Sequence, residues 1–318
     1  MNKYIVKRII RGAITFWTAI TVTFLIVRLT PSNPVTIMLD SNATTESIAK
    51  LTQDFGLDKP LYVQYIKYIG NLFQGNLGVS FSTRRPVMDL LIERLPWTLL
   101  LMITVLINCF LLGIPMGVAA ACKKGKTIDH VINIFAVFGT SIFIPSFGIT
   151  MLYIFGVKFP VLPIGGSHTP GTEGIEYVLD VCKHMILPVA TLTFVNLANY
   201  VLYIRSSMVS ILEESYIRTA RSKGMSEQRV VWKHGVRNAL IPTITMTGYL
   251  ISTMIGGSLL TETIFSYPGV GRLVYEAVGK LDYPVLQGAF LMLAVMVVVM
   301  GIFTDLLYAR LDPRIKLT

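Results

Sequence analysis

Residues 98–122 read TLLLMITVLINCFLLGIPMGVAAAC and contain no charged side chain. A helix needs about 20 mostly apolar residues to cross the hydrocarbon core of a bilayer, so this stretch is long enough to span it. Five more stretches share this character, which predicts six membrane-spanning helices at about 9–29, 98–122, 131–157, 185–204, 240–260 and 284–308. With 53% hydrophobic and 14% charged residues, the chain is predicted to be an all-α membrane protein.

The first apolar stretch follows four basic residues, Lys3, Lys7, Arg8 and Arg11, as the apolar region of a signal peptide does. It continues to Leu29 without a small-residue cleavage pattern and ends before Pro31. We therefore expect the first segment, residues 1–30, to remain in the membrane as a transmembrane helix.

Four prolines in or near the predicted spans carry a prediction about helix geometry. Pro188 and Pro242 fall near the starts of their apolar stretches, where proline is tolerated, and predict helix starts. Pro145 falls in the middle of the third stretch, where a missing backbone N–H predicts a kink. Pro115 is expected to bend the second span in the same way.

Lys and Arg are concentrated in the N-terminus, in the loops after spans two and four, and in the C-terminal tail. Because cytoplasmic loops carry this excess, both termini are predicted to be cytoplasmic, in a multi-pass cell-membrane protein. The same distribution explains the net charge of +10 without nucleic acid as a partner. The three cysteines have no CxxC spacing, so neither a disulfide framework nor a metal site is predicted.

Residues 31–97 are predicted to form an extracytoplasmic helical cap, and residues 98–318 the core transmembrane domain, which includes the cytoplasmic loop 205–239. In the cap, Thr44 or Thr45 is expected to begin a helix ending near Asp54, and Pro60 a second helix ending near Phe73. The apolar face of the second helix suits either packing on the membrane domain or docking of an external partner.

The cytoplasmic connection 205–239 is long enough to have a structure of its own. Ile217, Ala220 and Gly224 lie at i, i+3 and i+7, and Glu214 and Arg218 can pair at i, i+4, which predicts a short helix over about 214–223. Gly224 is expected to end this helix in a left-handed conformation, and Ser226 to cap the next one. Composition alone equally allows two amphipathic helices lying on anionic headgroups.

The segment YIRTARSKGMSEQRVVWKHGVRNALIP at 216–242 resembles the cytoplasmic ATPase-coupling loop of ABC-type importer permeases of the dipeptide, oligopeptide and nickel family. The similarity continues at 55–101, at 262–288 and at 305–316, and is greatest to the first of the family's two permeases. It implies the type I ABC importer permease fold. Arg218 occupies the position that is acidic in the general signature, Thr219 and Ala220 occupy its small positions, and Gly224 its glycine. The implied ATPase-coupling residues are Glu214, Ile217, Arg218, Thr219, Ala220 and Gly224.

This resemblance also implies the partners. They are a second homologous permease, two ATPase subunits that bind ATP and Mg, an extracytoplasmic solute-binding protein, and the lipid bilayer. The cargo would be di- or oligopeptides, or related solutes such as glutathione, nickel or oligosaccharides. The chain has no G-x-x-x-x-G-K-[ST] segment, so it is expected to bind no cofactor itself and not to be an enzyme.

Two further groups of residues are candidates for contact with solute or partner. Asn196, Asn199, Gly248, Gly256 and Gly257 are pathway candidates, with hydrogen bonds between helices and close helix packing as the alternatives. Glu262, Tyr267, Pro268 and Gly269 are candidates for an external gate or binding-protein contact, with a tight turn at Pro268–Gly269 as the alternative. The rival function is an ion-coupled secondary transporter acting alone, although its expected deep ionisable residues are replaced here mainly by amides.

Overall fold

The computed structural model describes residues 2–29, 53 and 58–311. In that part the chain is almost entirely helical, and its β-structure is one isolated bridge between Val79 and Pro86. The helices are Asn2–Leu29 (α1), Leu61–Phe73 (α2), Val87–Cys122 (α3), Thr127–Ser141 (α4), Ile144–Leu152 (α5), Gly174–Leu212 (α6), Ser215–Ser222 (α7), Glu227–Arg229 (α8), Arg237–Ile264 (α9), Val270–Gly279 (α10) and Tyr283–Leu311 (α11). Two π-helical segments follow α5 and α8, at Tyr153–Lys158 and Val230–Val236.

The predicted all-α membrane fold is confirmed. Within the described residues, five helices are long and apolar enough to cross a membrane: α1, α3, α6, α9 and α11. The bent pair α4–α5 makes a sixth crossing if the two helices form one broken span. Several helices exceed the predicted spans, because hydropathy marks only the apolar stretch of a helix; α6, for example, runs for 39 residues.

The prolines give one correct prediction, two corrections and one prediction that stays open. Pro115 lies inside α3, which runs unbroken from Val87 to Cys122, and the bend expected there stays a prediction. The third span is bent by 100° between α4 and α5, and Pro145 lies in the first turn of α5, as the predicted kink requires. Pro188 and Pro242 begin no helix: Pro188 lies inside α6, and Pro242 lies inside α9. A proline removes one helical hydrogen bond, and neighbouring groups in a helix bundle can compensate for that loss.

The chain divides into two compact units. The first comprises Met1–Thr98 and Pro268–Val298. Here Asp282, which is 2% exposed, accepts hydrogen bonds from Ser80 Oγ at 2.5 Å, from Phe81 N at 3.1 Å and from Ser82 N at 3.0 Å. The Asp282 carboxylate therefore holds residues 80–82, in the connection before α3, close to the start of α11.

The second unit comprises Leu99–Tyr267 and Val299–Thr318, and α6 is its central helix. It packs against α4, α5 and α9, and most of its residues from Met185 to Ile204 are buried. A Cβ at Gly139 of α4 would lie 2.6 Å from the Cβ of Ala198, so only glycine allows the two helices to approach this closely.

The cap helix predicted from Pro60 to Phe73 is present as α2, with Pro60 at its N-cap. The helix predicted from Thr44 or Thr45 lies outside the described residues, apart from Gln53, which is helical. The sequence-based division at residues 30 and 97 stays a prediction, as does the cytoplasmic location of both termini.

Candidate functional site

The connection between α6 and α9 forms a helix–turn–helix whose inner face is an apolar cluster. Ile217 and Ala220 of α7 are 0% and 8% exposed, and they pack with fully buried Val230. Leu212 and Met225 are partly buried against the same cluster. The predicted apolar face of α7 therefore packs against the π-helical segment Val230–Val236 of the same loop.

The turn after α7 is a Schellman motif. Gly224 has φ +75° and donates its N–H to the carbonyl of Arg221 at 2.9 Å, while Met225 donates to the carbonyl of Ala220 at 3.4 Å. Both bonds satisfy carbonyls at the helix end, and Met225 adds the apolar contact typical of this motif. The left-handed conformation predicted for Gly224 is present. Ser226 occupies the N-cap position of α8, but its side chain makes no capping hydrogen bond.

The outer face of α7 is exposed. It presents Arg218, Thr219 and Ser222, and Lys223 follows at the C-cap. This face is basic and polar, and it rests on the buried Ile217 and Ala220. Such a small exposed helix on a packed base can receive a contact and pass it on as movement of the whole loop.

The ion pair predicted between Glu214 and Arg218 does not form, although the structure describes both residues. Glu214 is the N-cap of α7 and has extended backbone angles, φ −66° and ψ 148°, so it lies outside the helical spacing that the pairing assumes. The pair in this loop joins Arg221 to Glu227 instead, with nitrogen–oxygen distances of 3.0 and 2.6 Å. It bridges α7 and α8 across the turn, and the hydrogen bond from Arg221 lowers the pKa of Glu227 below its ordinary value.

Two further contacts tie the loop to the spans, and the sequence gives no local signal for either. Arg205 near the end of α6 donates two hydrogen bonds to Asp129 in the first turn of α4, at 2.5 and 2.8 Å. The Asp129 side chain is only 3% exposed. Asn238 of α9 donates to the Tyr216 hydroxyl of α7 at 3.1 Å. The first contact joins α6 to α4, and the second joins α7 to α9.

A cavity of about 430 Å³ lies in the second unit, between α5, α6 and α9. It is mostly apolar, and three of the five predicted pathway residues line it: Asn196, Asn199 and Gly257. The Asn199 side chain is exposed and Asn196 is 6% exposed. Each amide donates to a carbonyl four residues earlier in α6, at 2.7 Å for Asn196 and 3.4 Å for Asn199. Both amide donors therefore bond within α6, and not to a neighbouring helix as the alternative to a pathway role requires.

The remaining two pathway candidates lie elsewhere. A Cβ at Gly248 would lie 2.8 Å from Thr304 Oγ1, so this glycine allows close packing of α9 on α11. Gly256 faces open space, with nothing within 4 Å of its Cβ position. Of the α9 glycines, the structure thus brings only Gly257 into the cavity with the two asparagines.

The residues predicted as an external gate or partner contact surround the end of α9. Glu262 and Tyr267 are both 0% exposed, and Tyr267 donates its N–H to the Glu262 carbonyl at 2.8 Å. The tight turn lies at Phe265–Ser266, where Ser266 has φ +49°, whereas Pro268 follows it and Gly269 is the N-cap of α10. In this conformation the Glu262 and Tyr267 side chains offer no surface to a partner.

A helical membrane bundle with an exposed helix–turn–helix between two spans has the features of a transport-system permease. The match to family models agrees: residues 113–317 match the binding-protein-dependent transport system inner membrane component, and residues 1–102 match the N-terminal model of such membrane components. The chain belongs to this family of ABC importer permeases and is a multi-pass protein of the cell membrane.

Curated relatives match over nearly the full length. The chain is 38% identical over 317 residues to the oligopeptide transport system permease protein AppB of Bacillus subtilis, covering 99% of this chain and 100% of that protein. It is 36% identical over 338 residues to the dipeptide transport system permease protein DppB of Escherichia coli, covering 99% of each. These relatives are permease subunits and not catalytic enzymes.

The fold is similar to that of a solved importer. The MetNI methionine ABC transporter, in an inward-facing conformation, matches with a TM-score of 0.53 and 16% sequence identity, covering 71% of this chain and 97% of that one. The predicted ABC importer permease fold is confirmed by this likeness together with the family match.

Proposed function

We propose that this chain forms one half of the pathway of an ATP-driven peptide importer, and that α7 receives the mechanical input. The observation that carries the proposal is the structure of α7, which has an exposed basic face on one side and the buried Ile217 and Ala220 on the other. Arg218 and Thr219 are the docking contacts with an ATPase subunit, Ile217 and Ala220 are the base, and Gly224 sets the angle of the turn. Glu214 marks the start of the helix and makes no pair with Arg218.

The importer is completed by two ATPase subunits and a second permease. Two ATPase subunits bind ATP and Mg, and their closure presses on α7 of this chain and on the equivalent helix of a second, homologous permease. The apolar cluster around Ile217 and the bond between Arg205 and Asp129 carry that movement into α6 and α4 as a rigid-body shift. The loop faces the cytoplasm, as do both termini.

The cavity beside α6 supplies this chain's side of the pathway. Its lining is apolar apart from a few polar groups, which suits a cargo with a repeating amide backbone and varied side chains. Asn196 and Asn199 present amide groups that can pair with a peptide backbone. An extracytoplasmic solute-binding protein delivers the cargo at the outer side, where Pro268 and Gly269 are the candidate contact.

The proposal of peptides as cargo rests on the relatives, which are oligopeptide and dipeptide transport system permeases. Their similarity extends over the whole chain, including the cavity and α7. Among the relatives' two permease types, the chain takes the place of the first.

Reconstitution in proteoliposomes tests the proposal. The complete set of two permeases, ATPase subunits and binding protein should accumulate a labelled tripeptide only when ATP is supplied on the ATPase side. Uptake by this chain alone, driven by a proton or sodium gradient without ATP, would establish a secondary transporter instead. Absence of flux for every peptide, nickel and oligosaccharide tested with the complete set would indicate a scaffold role.

A further inference from the structure

The first unit contains a cavity of about 280 Å³ with a marked charge bias. It lies between the end of α1, the helix α2, the connection that follows α2 and the start of α11. Three of its lining residues are cationic, Arg28, Lys59 and Lys67, and none of the lining residues that the structure describes is acidic. Asn76 and Gln287 add amide groups. A cavity with this composition favours an anion.

Two of the lining side chains have buried donors that no described group satisfies. The Nε and Nη1 atoms of Arg28 are buried without a hydrogen-bond partner, and the Arg28 guanidinium carbon lies 5.9 Å from the centre of the Phe24 ring. Gln287 is 6% exposed, and its Nε2 donor has no partner. Buried donors are rarely left unpaired in native proteins, so a guanidinium and an amide beside one cavity indicate an acceptor-rich ligand.

The position of the cavity indicates what carries this anion. Arg28 is the next-to-last residue of the span Gly12–Leu29, and Ile26 and Leu29 beside it are each 63% exposed. In α2, Tyr62 and Ile66 are 69% and 67% exposed. Apolar side chains that flank a basic cavity at the end of a span match a ligand with a charged head and acyl chains.

We propose that this cavity binds the phosphate group of an anionic phospholipid, with the acyl chains along the apolar faces of α1 and α2. Arg28 and Gln287 donate to the phosphate oxygens, since a guanidinium fork matches phosphate geometry. Lys59 and Lys67 supply charge at the mouth, where their exposed side chains can follow the headgroup. A bound lipid fastens α2 to the end of the first span.

The test is a titration of the purified full-length chain in detergent with fluorescently labelled phosphatidylglycerol. The double variant Lys59→Gln/Lys67→Gln should bind about 25-fold more weakly, since each basic residue near an anionic lipid contributes about a fivefold change. The matched control Lys280→Gln removes an exposed cation of the same unit outside the cavity, and it should bind as the wild type does. Equal affinity of the double variant and the wild type would overturn the proposal.

Gln287→Leu separates binding from folding. Because it removes a donor that has no partner among the residues that the structure describes, the lipid-free variant should melt no lower than the wild type, while its lipid affinity falls several-fold. Unchanged affinity of this variant would also overturn the assignment. Phosphatidylcholine should compete weakly and millimolar inorganic phosphate should not compete; displacement of the lipid by phosphate alone would assign the site to a soluble anion and reject the lipid.

Discussion

Gly224 offers the sharpest perturbation of the coupling loop, because its substitution changes backbone energy without a steric clash. Its φ of +75° lies in the left-handed region, which costs a residue with a Cβ roughly 1–2 kcal/mol. Nothing lies within 4 Å of its Cβ position, so that strain is the whole cost of alanine. A penalty of this size shifts the turn's equilibrium by about 5- to 30-fold.

Three substitutions at Gly224 change this backbone strain by different amounts. Gly224→Ala should lower peptide uptake and transport-stimulated ATP hydrolysis in proteoliposomes by up to about 5- to 30-fold, and β-branched Gly224→Val should lower them further. Gly224→Asn should retain most activity, because asparagine tolerates the left-handed region. Insertion and abundance should stay normal in all three, since the turn is exposed and contributes little to the folded bundle.

Gly70 provides the matched control. It is an exposed glycine inside α2, also with nothing within 4 Å of its Cβ position, and Gly70→Ala should leave uptake unchanged. Wild-type uptake by Gly224→Val would refute the role of the turn. A defect of equal size in Gly224→Asn and Gly224→Val would show that the backbone conformation is not the cause.

Three further predictions concern groups around the loop and the cavity. Asp129→Asn should lower the unfolding free energy of the purified chain by about 3 kcal/mol, since it leaves Arg205 without its nearly buried partner; a loss below about 1 kcal/mol in denaturant or thermal unfolding would contradict this. The Arg221–Glu227 pair is exposed and should contribute little to stability. Because the pKa of Glu227 is lowered, the pair is lost only as pH falls through that lowered pKa. Transport-stimulated ATP hydrolysis should therefore be constant between about pH 6 and 8, and a step in its pH profile within that range would contradict this. Asn199→Leu should raise the KM for peptide uptake with normal abundance, and an unchanged KM would remove this residue from the pathway.

The parts of the fold that the sequence predicts are those with a local cause. Apolar length is a property of consecutive residues, and it marks the five long spans as well as the bent pair of helices near Pro145. The turn at Gly224 is predictable for the same reason, because a glycine and a capping serine lie within three residues of each other.

The parts that the sequence leaves open depend on distant contacts or on fine backbone geometry. Arg205 and Asp129 are 76 positions apart, and the residues next to each of them in the sequence give no indication that the two side chains pair. Glu214 and Arg218 have the spacing of a helical pair, yet the helix begins one residue too late to use it. Pro188 has the signal of a helix start, but the tertiary packing of α6 carries the helix through it.

The measurement that tests the central claim most directly is photo-cross-linking from the exposed face of α7 in the assembled complex. Benzoylphenylalanine at Thr219 should cross-link to an ATPase subunit, and the yield should change when ATP is added. The same group at Tyr275, a 61% exposed aromatic position in α10, is the control and should give no ATPase adduct. An adduct from Thr219 to lipid alone, or ATPase adducts of equal yield from both positions, would contradict the account of α7 as the helix through which ATP hydrolysis drives transport.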